Sequence, residues 1–177
     1  MNYADLKKTD IANGPGVRVS LFVSGCTHGC PGCFNPETWD FQFGQPFTQK
    51  TMDTLLAALA PEHIRGLSLL GGEPLHPDNQ KTVLEVVRRV REAFPHKTVW
   101  CYTGYLYENL VQGQVGDPET VRALLEGIDV LVDGPFVEAQ KNLGLRFRGS
   151  DNQRILLASA SLAAGELVFW KDVPYGT

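Results

Sequence analysis

The stretch "VRVSLFVSGC", residues 17–26, indicates the fold class because an apolar segment runs directly into a glycine and a cysteine. Its apolar residues first alternate and then follow one another, which is typical of a strand buried within a sheet. The same pattern recurs in "GLSLLGGEP" (66–74), "KTVWCYTGY" (97–105) and "IDVLVDGPF" (128–136), each an apolar segment that reaches a glycine. These segments predict four strands of one sheet.

Segments with helical periodicity separate these strands. The segment "TQKTMDTLLAALAPEH" (48–63) predicts a helix with Thr48 as its N-cap. The segment "PDNQKTVLEVVRRVREAF" (77–94) carries apolar residues along one helical face, and an Asp-Pro start predicts a third helix over residues 117–127. Alternating strands and helices predict a parallel sheet that is covered by helices.

The length of the chain limits how such a sheet can close. A complete eight-fold barrel needs about 250 residues, and this chain has 177. We therefore predict one domain over residues 1–177 with an α/β fold, a partial, open (β/α) barrel of about six mostly parallel strands. Its last strands are predicted in "RILLA" (154–158) and "ELVFW" (166–170). The alternative is a doubly wound sheet.

Composition and charge exclude several classes of protein. The formal net charge is −4 and no basic stripe dominates the chain, which argues against a nucleic-acid-binding protein. No apolar run is long enough for a membrane span. The N-terminal segment "MNYADLKKTD" lacks the features of a signal peptide. We therefore expect a cytoplasmic protein without a membrane partner, in a compartment where clustered cysteines more often indicate metal or redox chemistry than disulfides.

Three cysteines, Cys26, Cys30 and Cys33, lie within eight positions in a C-x3-C-x2-C arrangement. Four kinds of site are compatible with them. A zinc site would need His28 or Cys101 as its fourth ligand, although Cys101 lies within a predicted strand and is expected in the core. A thioredoxin-like dithiol would use only the last two cysteines, and an electron-transfer ferredoxin normally has four. The fourth possibility is an iron–sulfur cluster with one iron left open.

The glycine-rich turns predict where a ligand of such a cluster would lie. The carboxyl ends of parallel strands meet on one face of an α/β fold, and ligands bind there. Gly71 and Gly72 allow a ligand to approach the backbone closely, and Glu73 offers a carboxylate for an ammonium group. Thr103 and Asp133 follow neighbouring strands and are either further ligand contacts or turn-capping residues.

The cysteine motif and the Gly71-Gly72-Glu73 turn together resemble the radical S-adenosylmethionine (SAM) superfamily. This resemblance implies a 4Fe–4S cluster held by Cys26, Cys30 and Cys33, with its open iron chelated by the amino and carboxylate groups of SAM. The turn would hold the methionine amino group. One-electron cleavage of SAM would then give a 5′-deoxyadenosyl radical that abstracts a hydrogen atom.

A finer resemblance is to the glycyl-radical activating enzymes. It rests on "GPGVR" (14–18), "FVSGC" (22–26), "CFNPETW" (33–39), "LLGGEPLHP" (69–77), "YTGY" (102–105), "LVDGPF" (131–136) and "RGSDNQRI" (148–155). The later motifs are similar to activators of anaerobic ribonucleotide reductase. The resemblance implies the glycyl-radical catalytic subunit of such a reductase as partner, together with an external one-electron donor. Activation of another glycyl-radical enzyme, such as pyruvate formate-lyase, is the alternative.

Two segments predict the surroundings of the cofactor and of the partner. Many superfamily members carry an aromatic residue immediately before the third cysteine, whereas this chain has Gly32 there and Phe34 after Cys33. The backbone of residues 32–34 is therefore the expected contact with adenine. The polar segment 146–154 is a candidate docking surface. Because a partial barrel leaves a lateral gap beside the cluster, we expect a peptide loop of a large partner to enter there.

Overall fold

The structure, a computed structural model, describes residues 1–172 and contains seven strands and five α-helices in this part of the chain. The strands are β1 (Asn2–Asp10), β2 (Val17–Val23), β3 (Gln45–Pro46), β4 (Ile64–Gly71), β5 (Thr98–Tyr102), β6 (Val130–Asp133) and β7 (Arg154–Leu157). The helices are α1 (Gln49–Leu59), α2 (Pro77–Ala93), α3 (Tyr107–Val111), α4 (Pro118–Gly127) and α5 (Ala158–Ala164). Short 3-10 helices span Pro36–Trp39 and Glu138–Gln140.

The strands form one open sheet in the order β3-β1-β2-β4-β5-β6-β7. The four central strands, β2, β4, β5 and β6, are parallel as predicted. The edge strands β3 and β7 and the next-to-edge strand β1 are antiparallel to their neighbours, so three of the six pairings are antiparallel. The predicted α/β class is confirmed, whereas the predicted number of about six strands and their mostly parallel arrangement are corrected at the edges of the sheet.

The helices cover one face of the sheet only. Residues in register on that face belong to the same apolar core as the helices: Leu21, Leu69, Cys101, Leu131 and Leu156. The adjacent residue in each strand points to the opposite face: Phe22, Leu70, Tyr102, Val132 and Ile155. Across the described residues, the apolar cluster on that second face includes no helical side chain. This arrangement differs from a doubly wound sheet, which carries helices on both faces.

The predicted helix starts agree with the observed capping interactions. The side chain of Thr48 accepts a hydrogen bond from the backbone N–H of Thr51, and the side chain of Thr51 accepts one from the backbone N–H of Thr48. Asp117 caps α4 by accepting a hydrogen bond from the N–H of Thr120 at 2.8 Å. Within residues 1–172, no helix combines the length and the apolar character that a membrane span needs.

The predicted strand at residues 166–170 is corrected to a short bridged segment. Phe169 forms an isolated bridge with Leu156, and the carbonyl of Val168 accepts a hydrogen bond from the N–H of Leu157. The segment therefore lies against β7 without extending the sheet as a further strand.

A buried arginine joins the amino ends of the central strands. Arg18 is 1% exposed, and its guanidinium donates hydrogen bonds to the hydroxyls of Ser68 (2.8 Å) and Thr98 (3.0 Å). Ser68 in turn donates to the carbonyl of Asn13 in the loop that follows β1. Gly14 has a φ of +128°, and a Cβ there would lie 2.9 Å from the Arg18 side chain. The "GPGVR" segment therefore folds this loop tightly over Arg18.

Replacing this arginine tests its structural role. We expect Arg18→Met to lower the free energy of unfolding by about 2–4 kcal/mol, because several buried hydrogen bonds are lost and their acceptors stay buried. Arg65→Met is the control, since Arg65 is exposed on β4, and it should change the free energy of unfolding by no more than about 0.5 kcal/mol. Urea unfolding followed by circular dichroism measures both. Equal effects of the two substitutions would contradict this role for Arg18.

Candidate functional site

A cavity of about 650 Å³ lies on the helix-free face of the sheet, at the carboxyl ends of the parallel strands. It has the position that the strand-end turns predict. The cavity lining brings together most of the predicted site residues, namely Cys26, Cys30, Cys33, Phe34, Gly71, Gly72, Glu73 and Thr103. Gly32 and Asp133 are absent from this lining.

The cysteine loop is fixed at its base by the 3-10 helix that follows it. The N–H of Gly25 donates to the carbonyl of Thr38 at 2.7 Å, and the N–H of Cys26 donates to the carbonyl of Trp39. Between the cysteines, Gly29 and Gly32 have positive φ values of 61° and 73°. Glycine adopts this conformation without steric cost. The spacing of the motif thus matches a loop that turns back on itself between successive cysteines.

The three thiols fit a cluster better than a single metal ion. Thiolate ligands of one zinc ion must all lie about 2.3 Å from the same point, and no group of three or more His, Cys, Asp or Glu side chains in residues 1–172 is arranged in that way. In a 4Fe–4S cluster each thiolate binds a different iron, so the sulfurs can lie farther apart around a shared cavity. Burial raises the pKa of the Cys26 thiol to about 11, and metal binding would remove its proton.

The two residues proposed as a fourth zinc ligand lie in different places, and only His28 is near the thiols. Cys101 is fully buried on the opposite face of the sheet, where burial raises the pKa of its thiol well above the usual range. It packs within the apolar core, as predicted. His28 lines the cavity, but its Nε2 lies 2.7 Å from Oε2 of Glu73. The motif therefore presents three cysteine ligands at the cavity.

The carboxylate of Glu73 is almost completely buried and accepts four hydrogen bonds. Its Oε1 accepts from the N–H of Leu75 (2.9 Å) and from the hydroxyl of Thr103 (2.8 Å). Its Oε2 accepts from the N–H of Gly104 (2.8 Å) and from Nε2 of His28. A carboxylate offers about four lone-pair sites, so this set of protein donors occupies all of them.

His28 links the cysteine loop to the Glu73 turn, a role that the sequence analysis did not predict. Besides contacting Glu73, its ring packs edge-on against Tyr105, with 4.5 Å between the ring centroids. A Cβ at Gly104 would lie 2.6 Å from the His28 ring, so glycine at that position makes room for the imidazole. The position of His28 between two cysteines was visible in the sequence, but its partner 45 residues away was not.

A second buried polar residue strengthens the same connection. The side-chain amide of Asn79, in the first turn of α2, donates to the carbonyls of Ser24 and Glu73 at 3.0 Å each. Asn79 is 1% exposed. The only sequence signal for these contacts was that Asn79 is a polar residue on the buried face of a helix.

The two glycines of the turn pack against the start of the cysteine loop. Gly71 has a φ of +104°, and a Cβ there would lie 2.7 Å from the backbone of Val23. A Cβ at Gly72 would lie 2.7 Å from the carbonyl oxygen of Gly25, which accepts the N–H of Glu73 at 2.8 Å. Glycine is therefore required at both positions by close backbone packing, whether or not a ligand also approaches the turn.

An aromatic pair forms the wall of the cavity next to the third cysteine. The rings of Phe34 and Phe136 lie 5.1 Å apart, and both residues line the cavity. A Cβ at Gly149 would lie 2.9 Å from the Phe34 ring and 3.1 Å from the Phe136 ring. Glycine at this position lets the segment 146–149 pack against the pair. Sequence analysis identified Phe34 but did not predict its aromatic partner.

Asp133 makes ion pairs and hydrogen bonds outside the cavity lining. Its buried carboxylate pairs with the guanidinium of Arg154 and accepts a hydrogen bond from the N–H of Tyr107 at 2.8 Å. Arg154 also forms an ion pair with Glu108. The hydrogen bond from Arg154 to the Glu108 carboxylate is the main reason that the pKa of Glu108 is lowered to about 2. Of the two roles considered for Asp133, this placement matches the turn-capping role. Gly32 also lies outside the cavity lining, and a Cβ at this position would lie 2.9 Å from the side chain of Glu138.

Comparisons with known proteins agree with this site. A family model described as a 4Fe–4S single cluster domain matches residues 12–156. An anaerobic ribonucleoside-triphosphate reductase-activating protein of Vibrio cholerae is 46% identical over 157 residues, covering 88% of this chain and 97% of the relative. Proteins of the same name from Escherichia coli K12 and phage T4 are 44% and 41% identical, over 86% and 88% of this chain and 96% and 93% of their own lengths.

These matches extend over most of the chain and over most of each relative, and they include the three cysteines and the Gly71–Glu73 turn. The chain belongs to the family of anaerobic ribonucleoside-triphosphate reductase-activating proteins, which carry a 4Fe–4S single cluster domain.

Proposed function

We propose that this protein activates an anaerobic ribonucleoside-triphosphate reductase by generating a glycyl radical on the catalytic subunit of that reductase. The observation that carries the proposal is the cavity in which three thiols face a glycine-rich turn, in a chain of this family. When bound, the cluster and SAM supply a one-electron cleavage that yields methionine and a radical able to take one hydrogen atom from glycine. The electron comes from an external one-electron donor.

Within this proposal, Cys26, Cys30 and Cys33 hold the cluster and leave one iron free for SAM. Gly71, Gly72 and Glu73 bind the methionine amino group. The four lone-pair sites of Glu73 are already occupied. It therefore attracts the ammonium group through its buried negative charge, while the backbone of the turn provides the close contact.

The remaining predicted contacts have different roles in the proposal. Thr103 orients Glu73 through its hydroxyl and lines the cavity beside it. The segment from Gly32 to Phe34 contacts adenine, with Phe34 and Phe136 providing the aromatic surface. Asp133 acts indirectly, since it anchors Arg154 and the start of α3 next to the cavity.

The proposal also covers the setting of the reaction. We propose that residues 1–177 form a single domain and that its open sheet is a partial (β/α) barrel. The helices on one face and the cavity on the other support this description. The reaction takes place in the cytoplasm and involves neither nucleic acid nor a membrane.

The test of this function is an anaerobic activation assay. The protein is reconstituted with iron and sulfide, reduced, and mixed with SAM and the catalytic subunit of the reductase. We expect a glycyl-radical doublet in the electron paramagnetic resonance (EPR) spectrum and no doublet from a reductase whose radical glycine is replaced by alanine. A colourless protein that retains zinc, or a reductase that stays free of radical, would contradict the proposal.

The ligand assignment predicts the effect of each cysteine. Cys26→Ala, Cys30→Ala and Cys33→Ala should each abolish SAM cleavage, because two thiolates do not hold a stable open-site cluster. Iron and sulfide content after reconstitution and methionine release measure the loss. Cys101→Ala is the matched control: it should keep the cluster and lower the free energy of unfolding by no more than about 3 kcal/mol. Loss of the cluster from Cys101→Ala alone would overturn the assignment.

The contact between His28 and Glu73 predicts a separate effect on SAM binding. We expect His28→Ala to leave the iron content unchanged and to raise the dissociation constant for SAM about five- to tenfold. The reason is that the turn loses its hydrogen bond to the cysteine loop. His28→Gln, which retains a side-chain N–H, should recover part of the affinity.

The control for this experiment is His63→Ala, because His63 is exposed before β4. The dissociation constant of the His63→Ala protein for SAM should equal that of the wild-type protein. Unchanged SAM binding by His28→Ala would contradict the positioning role of His28, and tighter binding would show that His28 competes with SAM for Glu73.

A further inference from the structure

The three most exposed large apolar side chains of the described residues lie in, or next to, segments that line the cavity. Leu143 is 86% exposed, Ile11 77% and Phe34 60%. Leu143 and Phe34 line the cavity, and Ile11 immediately precedes Ala12, which also lines it. Single exposed apolar residues are common on protein surfaces, but a group around one opening indicates an interaction site.

The opening lies between two segments from opposite ends of the sheet. Residues 12 and 13, in the loop after β1, line one side of the cavity, and residues in the range 142–149, which follow β6, line the other. β1 and β6 are separated in the sheet by β2, β4 and β5. The loop after β1 and the segment after β6 therefore line the cavity from opposite sides, and we take the space between them as its side opening.

Hydrogen bonds within each of the two segments give both sides of the opening a defined backbone shape. On one side, Asp10 accepts hydrogen bonds from the N–H of Ala12 (2.9 Å) and from the side chain of Asn13 (2.7 Å). On the other side, the N–H of Asn142 donates to the carbonyl of Gly149, and the side chain of Asn142 accepts the N–H of Gly144. These bonds lie within each segment and give it a defined local shape.

Hydrogen abstraction requires a site from which water is excluded. Because the side chains of Ile11, Phe34 and Leu143 are uncovered in residues 1–172, an occupant of the opening can provide this cover. A second copy of the chain bound at this side opening would keep a protein substrate out of the cavity. The substrate protein itself satisfies both requirements, since it fills the opening and delivers the reacting group.

We propose that Ile11, Phe34 and Leu143 form an apolar collar that binds the segment of the reductase carrying the radical glycine. This inference rests on the proposed function and identifies the surface by which the partner is recognised. The segment enters between residues 11–13 and 142–149 and places an apolar side chain, next in sequence to the glycine, against the collar. Leu143, at the exposed tip of the second segment, contributes most to the contact.

The test uses Leu143→Asp and Ile11→Asp in the full-length, reconstituted protein. Phe34 is not varied because it is also assigned to the cofactor. Both substitutions change exposed side chains, so iron content and the dissociation constant for SAM should match those of the wild type. The reductase concentration that gives half-maximal glycyl-radical formation should rise about tenfold or more for Leu143→Asp, with a smaller increase for Ile11→Asp.

Val111→Asp is the matched control, because Val111 is 45% exposed on α3 and does not line the cavity. It should activate the reductase like the wild type. Normal activation by Leu143→Asp and Ile11→Asp would overturn the collar and leave the proposed function intact. Absence of radical with the wild-type protein would overturn the proposed function and the collar together.

Photo-crosslinking separates the reductase from a second copy as occupant. With a photoreactive benzoyl-phenylalanine at position 143, we expect a cross-linked reductase peptide that contains or adjoins the radical glycine. A cross-link to the same chain, together with a dimer in sedimentation that Leu143→Asp dissociates, would overturn the proposal and identify a self-association surface.

Discussion

The buried carboxylate of Glu73 is the constraint on which the arrangement of the site depends. A buried carboxylate is tolerated only when its oxygens are hydrogen-bonded, and these donors come from three different parts of the chain. His28 belongs to the cysteine loop, Leu75 to the turn itself, and Thr103 and Gly104 to the end of β5. Because the Glu73 carboxylate needs hydrogen bonds from all three parts, these bonds bring the cysteine loop and the glycine turn together around a common cavity.

The open sheet, which has helices on one face only, leaves this cavity accessible to a protein substrate. Helices cover one face and form a continuous apolar core with it, so the other face is free to carry the site. The antiparallel strands β3 and β1 at one end of the sheet, and β7 at the other, end the sheet without closing it. The result is a site with a rigid base and an open side, which suits a substrate that brings its own cover. A closed barrel would instead enclose a small molecule.

The sequence predicted the parts of the structure that have strong local signals. The four parallel strands are apolar runs that end at glycine, and Thr48 and Asp117 are N-caps with clear sequence patterns. Strand β1 was missed because its residues are mostly polar, and β3 pairs with it at only two residues near one end of the sheet. Helix α3 has only five residues, too few to show a period. The contacts of His28 and Asp133 join residues far apart in sequence, and neither could be deduced from local pattern.

The central claim is that the three thiols hold a cluster with an open iron beside the Glu73 turn. Electron–nuclear double resonance on the reduced, reconstituted protein with SAM labelled with ¹⁵N at its amino group tests this claim directly. The account predicts a hyperfine coupling between the cluster and the ¹⁵N nucleus, and unlabelled SAM is the control that assigns this coupling to the labelled amino group. A reduced cluster whose spectrum shows no coupling to labelled SAM would contradict the account.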